Sequence, residues 1–267
     1  MGADIKNLRL RIRSVDSTLH LTKAMGLVAS SKIRRANDAM LKGREYVSAV
    51  GEMVDTLTAS PECAKSPYME KRDGNRTRLI VIAGDRGLCG GYNANIFRLM
   101  REYPDAEVIP VGKRAYERFG REFIPAEGFT RADGYRLAKQ LCEDFCAGEF
   151  DRLGIVYTKY VSIMTQDADI RFVLPLTRNE SAKESSILFE PNEAEILAAA
   201  IPEYVSGIIT ASARESFACE VAARRMAMDS AGKNAEQMIS DLTLQYNRAR
   251  QGAITQEITE IVAGSGV

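Results

Sequence analysis

Between Ala3 and Ser60 the chain contains no proline. Apolar or small side chains recur there in heptad steps, at Ile5, Leu8, Ile12, Val15, Leu19, Ala29, Ile33, Ala36, Met40, Val47, Val50, Val54 and Leu57, with only Thr22, Gly26 and Gly43 interrupting the series. A stripe sustained this far without internal caps specifies a coiled-coil helix, because helices of globular domains usually stop after about 8 to 20 residues. At 1.5 Å per residue it would extend roughly 80 Å. The other end of the chain behaves the same way. After Pro202 no further proline occurs, and Ala235, Ile239, Leu242, Tyr246, Ala249 and Ala253 step by four and three before the seam shifts by one residue to Ile254, Ile258 and Ile261. Small residues at Ala235, Ala249, Gly252 and Ala253 let a partner helix approach closely, at some cost in helix propensity at the glycine.

The middle alternates differently. Strand segments are expected at 78–83 (RLIVIA), 106–112 (AEVIPVG), 152–161 (RLGIVYTKYV) and 170–176 (IRFVLPL). Helices are expected from Asn93, from Lys113 and over 134–147. Strands alternating with helices predict an α/β domain with a largely parallel sheet. The reading is therefore an N-terminal coiled-coil helix over 1–60, a Rossmann-like α/β domain over 76–178 and a C-terminal coiled-coil helix over 202–267. Both helices join the domain at one end, so if they pair they run antiparallel, giving a globular foot that carries a two-helix rod.

The 267 residues carry 36 basic and 36 acidic side chains, so the total gives no reason to expect nucleic acid. The balance is not local: residues 1–45 hold ten basic against four acidic residues. These basic residues are not interleaved with aromatics that would stack bases, so a solvated surface or one facing an acidic protein is expected. The five cysteines are scattered, and only Cys142 and Cys146 lie near each other, at a helical spacing that suits packing better than a disulfide. With His20 alone and no CxxC or HxxxH, there is little material for a zinc site or a histidine-based triad. No apolar run approaches the ~18 residues needed to span a bilayer, and the start lacks a signal-peptide core, so a cytoplasmic chain without direct bilayer insertion is expected.

The segment AGDRGLCGGYNAN at 83–95 lies between a strand and a helix, where many proteins hold a phosphate. A Walker loop needs GxxxxGK[ST], whereas Gly84, Gly87, Gly90 and Gly91 are followed by Tyr92 and Asn93, so the phosphate lysine and the magnesium hydroxyl are missing. The spacing also fails the G-x-G-x-x-G fingerprint. A tight turn with close helix packing accounts for the glycines without a ligand, and Asp85 and Arg86 are left to pair locally or to face a partner.

Three stretches, LTKAMGLVASSKIRRA at 21–36, GDRGLCGGYNANI at 84–96 and LTLQYNRARQGAITQEITEIVAG at 242–264, resemble the gamma subunit of F-type ATP synthase in order and spacing. The resemblance runs from end to end, with departures at Gly26 and at AGKNA, 231–235. The chain lacks the cysteine-bearing insertion of the chloroplast form and a transit peptide, which points to a bacterial type. The resemblance implies a non-catalytic central shaft, one copy per complex, without cofactor or metal. Its partners would be an alpha3beta3 hexamer, an epsilon subunit and a membrane ring of c subunits, at the cytoplasmic face of the plasma membrane. It also implies that Met25 faces an acidic loop of beta, and that Arg224, Arg250, Gln251, Thr255 and Glu257 couple shaft to hexamer. Charge complementarity adds Lys32, Arg34 and Arg35 as partners of that loop. Ile258, Ile261 and Val262 are expected to form an apolar bearing at the tip. The rival readings are a nucleotide-dependent enzyme with coiled-coil arms, which would bind or turn over ATP alone, and a free-standing coiled-coil scaffold, which would not co-purify with a hexamer.

Overall fold

The computed structural model describes residues 2–72, 74–120, 122–178, 189–264 and 266. The chain divides into two compact units, Met1–Ser30 with Arg224–Val267, and Ser31–Ala223. Helix α1 (Gly2–Ala59) and the last helix, α5 (Glu193–Gly264), contribute segments to both.

In the first unit the two helical segments run antiparallel. Lys23 Nζ meets Glu236 Oε1 at 2.8 Å. A Cβ on Gly232 would lie 3.7 Å from Thr22 Oγ1, and one on Gly26 would lie 3.7 Å from Met228 Cβ, so the partner number falls as the α1 number rises. Leu19, Met228, Ala235 and Leu242 are buried, as the heptad stripe requires. Thr22, an interruption in the apolar series, is buried too. Its hydroxyl donates to the Leu19 carbonyl at 2.9 Å, which satisfies the polar group inside the seam. Carried to the start of α1, this register runs out near Gly252. Every described residue from Ile254 onward is exposed.

The second unit is built on a four-stranded sheet in the order β2-β1-β3-β4, with β1 at Thr77–Ile82, β2 at Glu107–Val111, β3 at Arg152–Tyr160 and β4 at Gln166–Leu174. β1 pairs in parallel with both β2 and β3, whereas β4 runs antiparallel to β3. A short hairpin joins the last two strands, so no crossover helix is needed and the parallel pattern ends there. Central β1 is covered on both faces. Leu79 and Val81 pack with Ile96 of α2 (Tyr92–Leu99) and Ala115 of α3 (Lys113–Phe119). Ile80 and Ile82 pack with Leu141 and Phe145 of α4 (Arg131–Cys146) and with Leu197, Ile201 and Val205 of α5. Such two-sided burial explains why the segment reads as one continuous apolar run.

The C-terminal helix does not begin at Pro202. It begins at Glu193, capped by Asn192, whose Oδ1 accepts the Glu195 amide hydrogen at 2.9 Å while its Nδ2 donates to Glu195 Oε1 at 2.7 Å. Pro202 lies inside the helix, where it removes one backbone hydrogen bond at a cost of about 3 kcal/mol. Complete burial of Leu197, Ile201 and Val205 on either side of it offsets that loss. Contrary to the expectation that no run of this kind occurs, one 18-residue window of α5 has a mean hydropathy of 1.4 and is long and apolar enough to cross a membrane by length and composition. Of that window 61% is buried inside the protein, as expected of a core helix.

Candidate functional site

The glycine-rich loop leaves β1 at the carboxyl edge of the sheet, where α/β proteins place ligands. Its own side chains fill that place. Asp85 Oδ1 accepts the Lys113 amide hydrogen at the start of α3 at 2.8 Å and that of Ala126 at 3.2 Å, and Oδ2 accepts that of Glu127 at 2.6 Å. Asn93 Oδ1 accepts the Gly84 amide hydrogen at 2.9 Å. The Asp85 carboxylate of the glycine-rich loop therefore takes the place an anion would have at the amides of Lys113, Ala126 and Glu127, and ties the loop to the segments that carry them.

Two glycines here stand in close quarters, Gly84 against a side-chain end and Gly112 against backbone. A Cβ on Gly84 would come within 2.8 Å of the Glu220 carboxyl carbon, and Glu220 is only 3% exposed. At Gly112, where φ is +95°, it would strike the Ala83 carbonyl oxygen at 1.9 Å. Leu88, at the loop's tip, holds a φ of 61° without being glycine, and its side chain is 62% exposed.

Asp85 also fixes the position of Glu127, whose carboxylate joins two basic groups. Glu127 Oε1 meets Lys32 Nζ at 2.5 Å, and Oε2 meets Arg86 Nη2 at 3.4 Å. Lys32 is thus already paired within the chain, while Arg34 and Arg35 are exposed on the same helix. A second bridge ties α1 to α5 and the sheet: Arg44 Nη2 donates to Glu215 Oε1 at 2.6 Å and to the Tyr160 carbonyl at 2.7 Å. Hydrogen bonding to the Glu215 carboxylate raises the Arg44 pKa above its ordinary value. Neither Glu127 nor Glu215 announces its role in the sequence, since the pairs span 95 and 171 residues.

The remaining sequence-selected residues lie in the first unit. Met25 and Arg224 are half-buried, and Arg250, Gln251, Thr255 and Glu257 are exposed. The Thr255 hydroxyl donates to the Gln251 carbonyl at 2.9 Å, so these two side chains share one helical face. Arg250 and Glu257 stand two turns apart on a neighbouring strip. Ile258, Ile261 and Val262 are 56%, 64% and 66% exposed, at the spacing of one apolar stripe.

Among the described residues no group of three or more His, Cys, Asp or Glu side chains is arranged to hold a metal ion. On α4, Cys142 is buried and Cys146 exposed, and burial pushes the Cys142 thiol up to about 12, so it is an inert packing residue. His20 lies on the surface with its Nε2 3.8 Å from Asp16 Oδ2.

The family described as ATP synthase matches residues 4–266. The ATP synthase gamma chain of Ruminococcus albus is 40% identical to this chain, and the alignment covers 98% of each. That of Geotalea uraniireducens is 36% identical, again over 98% of each. The sodium ion specific ATP synthase gamma chain of Acetobacterium woodii is 38% identical over 99% of each. Among solved structures, a chain of the Euglena gracilis mitochondrial ATP synthase OSCP/F1/c-ring assembly aligns over 100% of this chain and 97% of its own, with a TM-score of 0.69 and 18% identity. A chain of the Tetrahymena thermophila mitochondrial central stalk/c-ring aligns over 79% and 99%, with a TM-score of 0.61 and 22% identity. At these identities the structures speak to the fold.

Proposed function

The chain belongs to the ATP synthase gamma-chain family, and on that premise we propose that it is the central rotating shaft of an F-type ATP synthase, coupling ion flow through a membrane ring to ATP synthesis or hydrolysis at alpha/beta catalytic sites. The observation that carries this reading is alignment with curated bacterial gamma chains over essentially the whole of both sequences. In this reading the chain supplies no catalytic residue and holds no cofactor. The glycine-rich segment supports that, because Tyr92 and Asn93 follow its last glycine where a nucleotide loop needs a lysine and a hydroxyl.

The shaft acts by making contacts at one angle and breaking them at the next. A contact that favours one conformation of a catalytic site biases that site only while it lasts, so an asymmetric shaft orders three sites in sequence. Met25, Arg34, Arg35 and Arg224 would meet acidic groups of beta. Lys32 would do so by exchanging Glu127 for a beta carboxylate. Arg250, Gln251, Thr255 and Glu257 would make the directional contacts higher on the shaft, where exposed arginine offers a forked, charge-assisted hydrogen bond. Ile258, Ile261 and Val262, which lack directional bonds, would form the bearing. The further partners are an epsilon subunit and the c ring. One copy of the chain would serve each complex, at the cytoplasmic face of the plasma membrane, without entering the bilayer.

Co-expression with alpha and beta subunits tests the proposal. The expected result is a complex with one copy of this chain per alpha3beta3 hexamer, whose ATPase activity resides in the complex and not in the chain. An isolated chain that hydrolyses ATP would return the enzyme reading, and a chain excluded from the hexamer would return the scaffold reading.

A further inference from the structure

Within the second unit, α1, α5 and the first turn of α4 enclose a pocket of about 270 Å³ whose chemistry the stalk role does not use. Three cationic side chains converge on it from three different elements, Lys42 from α1, Arg214 from α5 and Arg131 from α4. Arg131 Nη2 is held by Glu203 Oε2 at 3.0 Å, and its guanidinium lies 5.8 Å from the centre of the Tyr46 ring, which lines the same pocket. Lys42 and Arg214 have no hydrogen bond or ion pair among the described residues, so the pocket holds two uncompensated positive charges.

The floor is made of small residues. A Cβ on Gly207 would strike Tyr46 Cε1 at 2.6 Å, so the glycine is what lets this ring lie against α5 and bound one side of the space. Thr210 also lines the pocket, with its hydroxyl turned away from solvent towards Gly134 of α4. The volume is about nine times the ~30 Å³ share of a liquid water, enough for a compact tetrahedral anion with solvent left over. Guanidinium and ammonium groups arriving from separate directions suit a group with several charged oxygens better than a single carboxylate, which one arginine saturates.

We propose that the pocket lined by Lys42, Arg131 and Arg214 is a binding site for a phosphate oxyanion, either free inorganic phosphate or the terminal phosphoryl group of a nucleotide. The site is separate from the glycine-rich loop and needs no other subunit. Lys42 and Arg214 supply its charge, Arg131 its fixed fork and Tyr46 its wall.

Calorimetry on the full-length chain at low salt, with inorganic phosphate in one arm and ADP without magnesium in the other, tests this. Saturable binding is expected, weakened about tenfold or more by Lys42→Gln with Arg214→Gln and unchanged by Lys159→Gln, a basic residue outside the pocket. Binding of phosphate identifies the free ion as the ligand. Binding of ADP alone, with the same sensitivity to the double variant, identifies a nucleotide phosphoryl group. Circular dichroism of the double variant should match the wild type, since Lys42 is exposed and Arg214 only half-buried. Absence of saturable binding in both arms overturns the proposal, as does binding that survives the double variant. Binding lost on changing Gly87 instead would place the anion in the loop and overturn it too.

Discussion

Asp85→Ala removes the acceptor that holds three backbone segments together at the carboxyl edge of the sheet. The Asp85 carboxylate accepts from the amides of Lys113, Ala126 and Glu127 at 2.8, 3.2 and 2.6 Å. A hydrogen bond to a charged group contributes about 1.5–3 kcal/mol, and a buried donor left without an acceptor costs about 1–3 kcal/mol. The Lys113 amide is at the exposed rim, where water replaces the lost partner, whereas the other two are partly buried. The expected loss is therefore about 2–4 kcal/mol, below the simple sum because water enters the vacated space. Urea denaturation followed by circular dichroism reads it as a midpoint lowered by about 1 M or more, given slopes of about 1–3 kcal/mol/M. Asp85→Asn should recover little of the loss, since its NH₂ would face an amide donor in place of a second oxygen. A shift of less than about 0.5 kcal/mol for Asp85→Ala would refute the view that this carboxylate ties the loop to the Lys113, Ala126 and Glu127 amides.

Arg250→Ala with Gln251→Ala should lower both ATPase turnover and ATP synthesis in the assembled complex while leaving the thermal unfolding of the isolated chain unchanged, because both side chains are exposed; wild-type rates would show that they are not coupling contacts. Ile261→Asp with Val262→Asp should weaken assembly, measured as the fraction of chain retained with the hexamer on gel filtration, because a bearing would then have to bury charge. Asp151 is 2% exposed, and hydrogen bonding from Arg76 holds its carboxyl below the ordinary range. Its folded-state pKa is depressed, so the stabilisation is complete above the unfolded value near ~3.9 and disappears as pH falls through the folded value. Urea midpoints measured downward from about pH 4 should fall in the wild type and fall less steeply in Asp151→Asn.

The parts of the fold that repeat along the chain were legible, and those that depend on distant pairings were not. Of the stripe that periodicity gives, Leu19, Ala29, Ile33, Ala36, Met40, Val54 and Leu57 are buried, and Ile5, Leu8, Ile12, Val15, Val47 and Val50 are half-buried. β1 was visible because both its faces are covered, which makes it uniformly apolar. α5 starts before Pro202 because tertiary burial of Leu197 and Ile201 outweighs the local stop signal of the proline, and a single asparagine cap at 192 is a weaker sequence signal than that proline. The direction of β4 has no signature in its composition. It follows from the five-residue turn over 161–165, too short for a crossover. In the candidate site, the motif comparison excluded a Walker loop. That Asp85 accepts the Ala126 and Glu127 amides, and that Glu127 pairs with Lys32 and Arg86, depend on contacts with the loop over 125–130, which no spacing rule reaches.

Rotation of this chain inside a hexamer is the most direct test of the account. Cys146 is exposed while Cys63, Cys89, Cys142 and Cys219 are buried, so a fluorescent probe can be attached to it alone without engineering the surface. With the reconstituted complex immobilised through its beta subunits and supplied with ATP, the probe's polarisation should turn in one direction, in three steps per revolution set by the three catalytic sites. A complex that hydrolyses ATP at full rate while the probe on Cys146 keeps a fixed orientation would contradict the central claim.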